Sequence, residues 1–241
     1  MKVQLLRYDV EVSLSPEHVS TLEVLNRTVF ARVVSSLLSE EGEKAAEPYQ
    51  LWNDLGRRAS PRKALLLVNN LPSLPSDNRT LLNKLYGIVG SELDASGMSE
   101  EADALGQHLR ALLADATNGM WGQYEFGLDW NQAAFMKAFS LMPACEEGES
   151  LLENCIAFLG FCVDIKLDMP IVLVNAKSFF AREELDRLFE QAVFLGVELL
   201  LLESWHDDDA HQKEAKTVLD QDFLVTWAET ASHFDRPMQR D

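Results

Sequence analysis

The stretch PIVLVNAKSFFAREELDRLFEQAVFLGVELLLLE, residues 170–203, decides the fold. Residues 170–175 and 197–202 are short, continuous apolar runs, the pattern of strands buried on both faces. Between them Leu185, Leu188, Phe189, Ala192 and Val193 recur at helical spacing, and Gly196 marks the stop. Strand, helix and strand in this order form a βαβ unit, so the two strands are predicted to be parallel with a right-handed crossover.

Towards the N-terminus the pattern stays α/β. Residues 3–14 and 19–25 read as two strands, with Val10, Val12 and Leu14 alternating with polar neighbours. Residues 27–39 read as a helix capped by Asn26, with Phe30, Val33, Val34, Leu37 and Leu38 in one stripe. A short strand near 49–55, a basic loop and a buried strand over 64–68 follow. After Pro72 and Pro75 the period changes to that of helices, over 78–93, 99–116, about 129–141 and 147–167. Ser99 is placed to cap the second of these, and Asp129 with Gln132 resembles a capping box for the third. Beyond residue 203 the chain reads as a hydrophilic loop, 204–217, and a last strand, Phe223–Trp227. The expected fold class is α/β: a doubly wound head from residues 1–75 and 168–241, with a helical leg inserted at 76–167.

Composition narrows the partners. With 39 acidic and 21 basic residues the formal net charge is −18. Such a surface repels phosphate backbones and anionic membranes, so any contact with nucleic acid needs a local basic patch. No apolar run approaches the ~20 residues of a membrane helix, and the N-terminal stretch lacks an apolar signal core. The expectation is a cytoplasmic protein. Cys145, Cys155 and Cys162 suit reduced thiols, the latter two sharing one helical face as small apolar residues.

Catalytic signatures are missing. No glycine precedes a lysine, and GxGxxG, GxSxG and HExxH do not occur. The turn at 175–180 keeps Lys177 and Ser178 without a glycine to bring backbone amides onto a phosphate. The loop Glu203-Ser-Trp-His-Asp-Asp-Asp-Ala-His211 follows the carboxyl end of a strand, where α/β sites form. Its Glu203, His206, Asp207, Asp208, Asp209 and His211 could hold divalent cations for a nuclease or phosphohydrolase, or simply be a solvated acidic loop. Glu125 and Asp129, four residues apart, are calcium-ligand types, although Asp129 could serve only as a cap. The cluster Arg57-Arg58-Ala-Ser-Pro-Arg62-Lys63 carries four cations in seven residues, against the acidic background, and suits phosphate contact.

Three stretches resemble the Csn-two family, the DNA-binding accessory protein of type II-A CRISPR adaptation. They are residues 170–203 with the later LDQDFLVTW, the early TLEVLNRTVFARVV, and KALLLVNNL. The resemblance implies an α/β head related in shape to P-loop ATPases but lacking their phosphate loop, with no nucleotide bound. It also implies an inserted helical leg and a homotetrameric ring whose basic hole takes double-stranded DNA at an end. Its role is spacer acquisition beside the adaptation integrases and the effector nuclease, with no catalysis of its own. Under this reading Arg57, Arg58, Arg62 and Lys63 are candidates to line the hole, and Lys137 falls near a basic position of the family. Family members carry a dense acidic calcium cluster. Glu125 and Asp129 fall on two of its positions, whereas Gly127 and Trp130 replace further carboxylates. Trp121 and Trp130 are then expected as packing anchors. A scaffold without DNA contact is the remaining alternative.

Overall fold

The computed structural model describes residues 1–127, 129–144, 149–208 and 211–228. Two sheets organise the larger of two compact units. The first is antiparallel, in the order β2-β1-β4-β5, from strands β1 (Lys2–Leu5), β2 (Val10–Ser13), β4 (Tyr49–Trp52) and β5 (Arg58–Ala59). The second has six strands in the order β10-β9-β3-β8-β7-β6. These are β3 (Val19–Val24), β6 (Leu66–Val68), β7 (Ile171–Val174), β8 (Leu199–Glu203), β9 (Glu214–Leu219) and β10 (Val225–Ala228). Its pairings are parallel except for β10, which runs antiparallel to β9.

Side chains alternate across a strand, and the two faces of β3 go to different surroundings. Leu22 and Val24 join Leu200, Leu202 and Val172 in one apolar cluster. That cluster also takes Val29, Val33 and Leu37 of helix α1 (Arg27–Ser39) and Val3, Leu5, Val10, Val12 and Leu51 of the small sheet. Asn26 Oδ1 accepts the N–H groups of Thr28 and Val29, so α1 begins where its cap predicts. The other face meets helix α6 (Arg182–Leu195), which buries Leu185, Leu188, Phe189 and Ala192 and ends at Gly196 with φ 69°. A positive φ is open to glycine without a Cβ penalty.

Several expected elements differ. The run 3–14 is a hairpin: Asp9 takes φ 51° and divides β1 from β2. Residues 66–68 form an edge strand and are mostly half-buried, because among the described residues no strand pairs beyond β6. Strand β9, between β10 and β3, begins inside the expected loop at 204–217 and runs past it. Helix α5 (Leu151–Asp164), expected in the leg, belongs to the larger unit over its residues up to Val163 and buries Leu152, Cys155, Phe158, Leu159, Phe161 and Cys162. Burial pushes both thiols up to about 12, so they remain protonated apolar groups. Cys145 lies outside the described residues.

The second compact unit covers Pro75–Cys145 and Asp164–Lys166. It contains α2 (Arg79–Ala95), α3 (Ser99–Thr117) and α4 (Gln132–Ala138). Two caps differ from expectation. Met98 holds the cap position of α3, and Ser99 turns its hydroxyl to Asp94. Asn131, not Asp129, caps α4, accepting the Ala134 N–H at 2.8 Å. Trp130 packs flat over Gly106 of α3, and its indole N–H donates to Asp103 at 3.1 Å. Trp121 is fully exposed within the described chain and anchors nothing.

Candidate functional site

Two places carry the chemistry that the sequence singles out. The first is the basic stretch. Arg57 closes the turn between β4 and β5: its carbonyl accepts the Asn53 N–H at 2.9 Å, its own N–H goes to Asn53 Oδ1, and Gly56 takes φ 65°. Arg58 lies on β5 and pairs with Glu43 at 2.5 Å, which holds the Glu43 carboxyl below its ordinary value. Arg62 and Lys63 lie in the loop leading to β6. Lys63 has φ 52°, with its N–H on Glu40 Oε1 at 3.2 Å. All four side chains are exposed, so one short stretch of the larger unit displays them, with Glu40 and Glu43 beside it. Lys137 belongs to the second unit, exposed on α4, with its Nζ 5.9 Å from the Tyr86 ring centroid.

The second place is a buried ion cluster on the α6 face of the six-stranded sheet. Strand register sets Glu23 of β3 beside Glu203 of β8, and Thr21 beside Lys216 of β9. Lys177, in the 3-10 turn after β7, reaches in from the side. Its Nζ lies 2.7 Å from Glu214, 2.8 Å from Asp207 and 3.7 Å from Glu23. Lys216 Nζ bonds the Asp207 carbonyl and lies 3.4 Å from Glu23. Thr21 Oγ1 donates to Glu214 at 2.6 Å. Burial lowers the Lys177 pKa, but Glu214 and Asp207 outweigh it and raise the pKa above its ordinary value. Glu203 accepts the Lys177 N–H at 3.0 Å, and its second oxygen has no hydrogen-bond partner among the described residues. Burial, the largest influence, pushes its carboxyl up to about 7.

Of the acidic loop, Asp207 and Glu203 turn inward, and the Lys177 ammonium lies among Asp207, Glu214 and Glu23. Asp208 is exposed and meets His206 Nε2 at 3.1 Å. His211 is buried, bound to Asp186 at 2.7 Å and set edge-on to Phe189. Asp209 lies outside the described residues. Glu23, Glu214 and Lys216 were not foreseen. Their sign in the sequence was faint: Glu214 and Lys216 alternate within EAKTVL, and Glu23 is the one charge in VSTLEV.

Glu125 and Asp129 are both exposed, and Asp129 stands 4.0 Å from the Arg110 guanidinium. Glu153, a further possible oxygen donor, pairs with Arg187 at 2.7 Å. Among the described residues no group of three or more His, Cys, Asp or Glu side chains is placed to hold a metal ion. Among the described residues, then, Glu125 and Asp129 are not joined by a third such ligand, where calcium takes six to eight oxygens. No helix is long and apolar enough to cross a membrane among the residues described.

Comparison with known proteins agrees with the segment order. The crystal structure of Stu0660 of Streptococcus thermophilus is similar over 95% of this chain and 77% of that one, with a TM-score of 0.59 at 13% identity. At that identity the likeness shows the fold. No curated protein matches the chain. The family model for CRISPR-associated protein (Cas_Csn2) matches residues 44–223, from just before β4 to the turn before β10, and on that match the chain belongs to the Csn2 family of CRISPR-associated proteins.

Proposed function

We propose that this protein is a non-catalytic DNA-end binder that closes into a homotetrameric ring and serves CRISPR spacer acquisition. Membership of the family implies the adaptation role. The observation that supports the finer reading is the display of Arg57, Arg58, Arg62 and Lys63 on one exposed stretch of a chain whose net charge is −18. Encircling a duplex requires no base readout; phosphate contacts suffice, and they release counterions. A ring lets these cations face inward while the carboxylate excess faces solvent, beyond a screening distance of about 8 Å. Lys137 is the weaker member of the set.

The reading needs no nucleotide. Asn26 already takes the first amides of α1, which a phosphate would otherwise use, and Lys177 is committed to carboxylates. Calcium enters only if further oxygens join Glu125 and Asp129. The partners proposed are double-stranded DNA, three further copies, and the adaptation integrases and effector nuclease, all in the cytoplasm.

Neutralising Arg57, Arg58, Arg62 and Lys63 together tests the assignment. Affinity for linear duplex is expected to fall, and the slope of log affinity against log salt to lessen by about 3 to 4 for four lost contacts. An unchanged slope removes these residues from the interface. Duplex cleavage with magnesium, lost on Asp208→Asn, would instead establish the nuclease reading.

A further inference from the structure

The basic stretch is seated on an acidic corner. Helix α1 gives way at Glu40, its C-terminal cap with φ 55°, and the corner that follows meets the chain from β5 to β6 at three points. Glu40 Oε1 accepts the Lys63 N–H at 3.2 Å. Gly42, with φ 63°, lies against Pro61, whose Cγ would stand 3.1 Å from an added Cβ. Glu43 Oε1 lies 2.5 Å from the Arg58 guanidinium and also accepts a hydrogen bond from the Gln50 side-chain amide. Of the four cations proposed to meet DNA, Arg58 is the one whose side chain holds an ion pair among the described residues. Carboxylate and phosphate compete for the same fork of N–H donors, so the guanidinium cannot serve both fully. Both partners are about half exposed, which makes the pair weak and exchangeable. A cleft of about 160 Å³ beside it, bounded in part by Lys44, Tyr49 and Pro61, leaves the carboxylate room to turn aside.

We propose that Glu43 is a charge competitor built into the DNA contact: it occupies Arg58 until a duplex phosphate displaces it. The inference rests on the DNA reading above and names a residue that opposes that contact. A duplex carries one charge per about 1.7 Å of its axis and gains released counterions on binding, so it wins Arg58 from one exposed carboxylate. Glu40 and Gly42 hold the loop through its backbone and Pro61 rather than through Arg58. Removing the Glu43 charge therefore frees the guanidinium while the loop keeps its seat.

Affinity for a linear duplex at one low salt concentration, measured on the full chain, tests the proposal in four proteins: wild type, Glu43→Gln, Arg58→Gln and the double variant. Glutamine keeps the size of Glu43 and an oxygen for Gln50 to donate to. Glu43→Gln is expected to tighten binding, and by about two- to fivefold more with Arg58 present than in the Arg58→Gln background, the range of an exposed ion pair. An equal gain in both backgrounds means general repulsion and overturns the proposal. Weaker binding by Glu43→Gln means that Glu43 positions Arg58 for DNA, and overturns it too. Wild type that binds, with Glu43→Gln unchanged, removes the competitor and leaves the DNA reading standing. Wild type that fails to bind at low salt removes both.

Discussion

Burial governs Glu203, and a single neighbour governs Gly106. The Glu203 carboxyl is pushed up to about 7, above the roughly 4.3 of an unfolded chain. The folded state therefore holds a proton that the unfolded state releases. Its contribution to stability is full below about pH 4, falls as pH rises towards 7, and is level beyond, at about 1.4 kcal/mol per unit. Relative to the wild type, Glu203→Gln is expected to gain about 3 kcal/mol of unfolding free energy between about pH 4.5 and pH 8, read from denaturant midpoints. A constant difference across that range contradicts the assignment. At Gly106 an added Cβ would overlap the Trp130 indole. The helix propensity of alanine favours Gly106→Ala by about 1 kcal/mol, but the ring must leave its seat. The expected net is a loss of about 1 to 3 kcal/mol, with a red-shifted tryptophan emission.

Elements differ in how openly the sequence displays them. The βαβ unit at 170–203 was legible because its strands are buried on both faces and its helix on one, so hydropathy alone marks them. Helix α1 was legible to its ends through Asn26. Replacing that cap, Asn26→Ala, is expected to lower stability by about 1 kcal/mol in urea melts. Strand β9 was not legible. Glu214, Lys216 and Thr217 look like a solvated loop, and they are buried only because charges from β3, the 3-10 turn and the 203–208 segment meet them. A pattern rule that sends charge outward must miss a strand whose partners arrive from distant parts of the chain. Lys177→Met tests that view of β9: it leaves Asp207, Glu214 and Glu23 buried without their shared cation and is expected to cost about 3 to 5 kcal/mol. A loss below about 1 kcal/mol would show that the network contributes little to holding the strand. Helix α5 reads as part of the leg because it follows the leg helices in sequence. Its apolar residues run around most of the helix, which is the mark of a core element rather than of a projecting one.

At the scale of the whole molecule the chain presents a conflict of sign: a net charge of −18 and a proposed anionic ligand. The proposed ring resolves it by segregating charge, and the basic stretch around β5 supplies the local patch. The candidate DNA residues were legible as a composition anomaly; their common exposure is what the folded chain adds. The candidate calcium positions Glu125 and Asp129 are suggested by their residue types and spacing and by the family resemblance; both are exposed, and Asn131 holds the cap that Asp129 was expected to provide. Removing divalent cations with a chelator is accordingly expected to leave the particle mass at that of four chains, near 108 kDa by about four times the chain mass of 27.1 kDa. A fall to a single-chain mass would show that metal holds the assembly. The central claim is most directly tested by comparing affinity for a linear duplex with that for the same duplex covalently closed, at low salt. A ring entered at an end binds the linear form and fails to load on the closed circle; equal binding to both would contradict it.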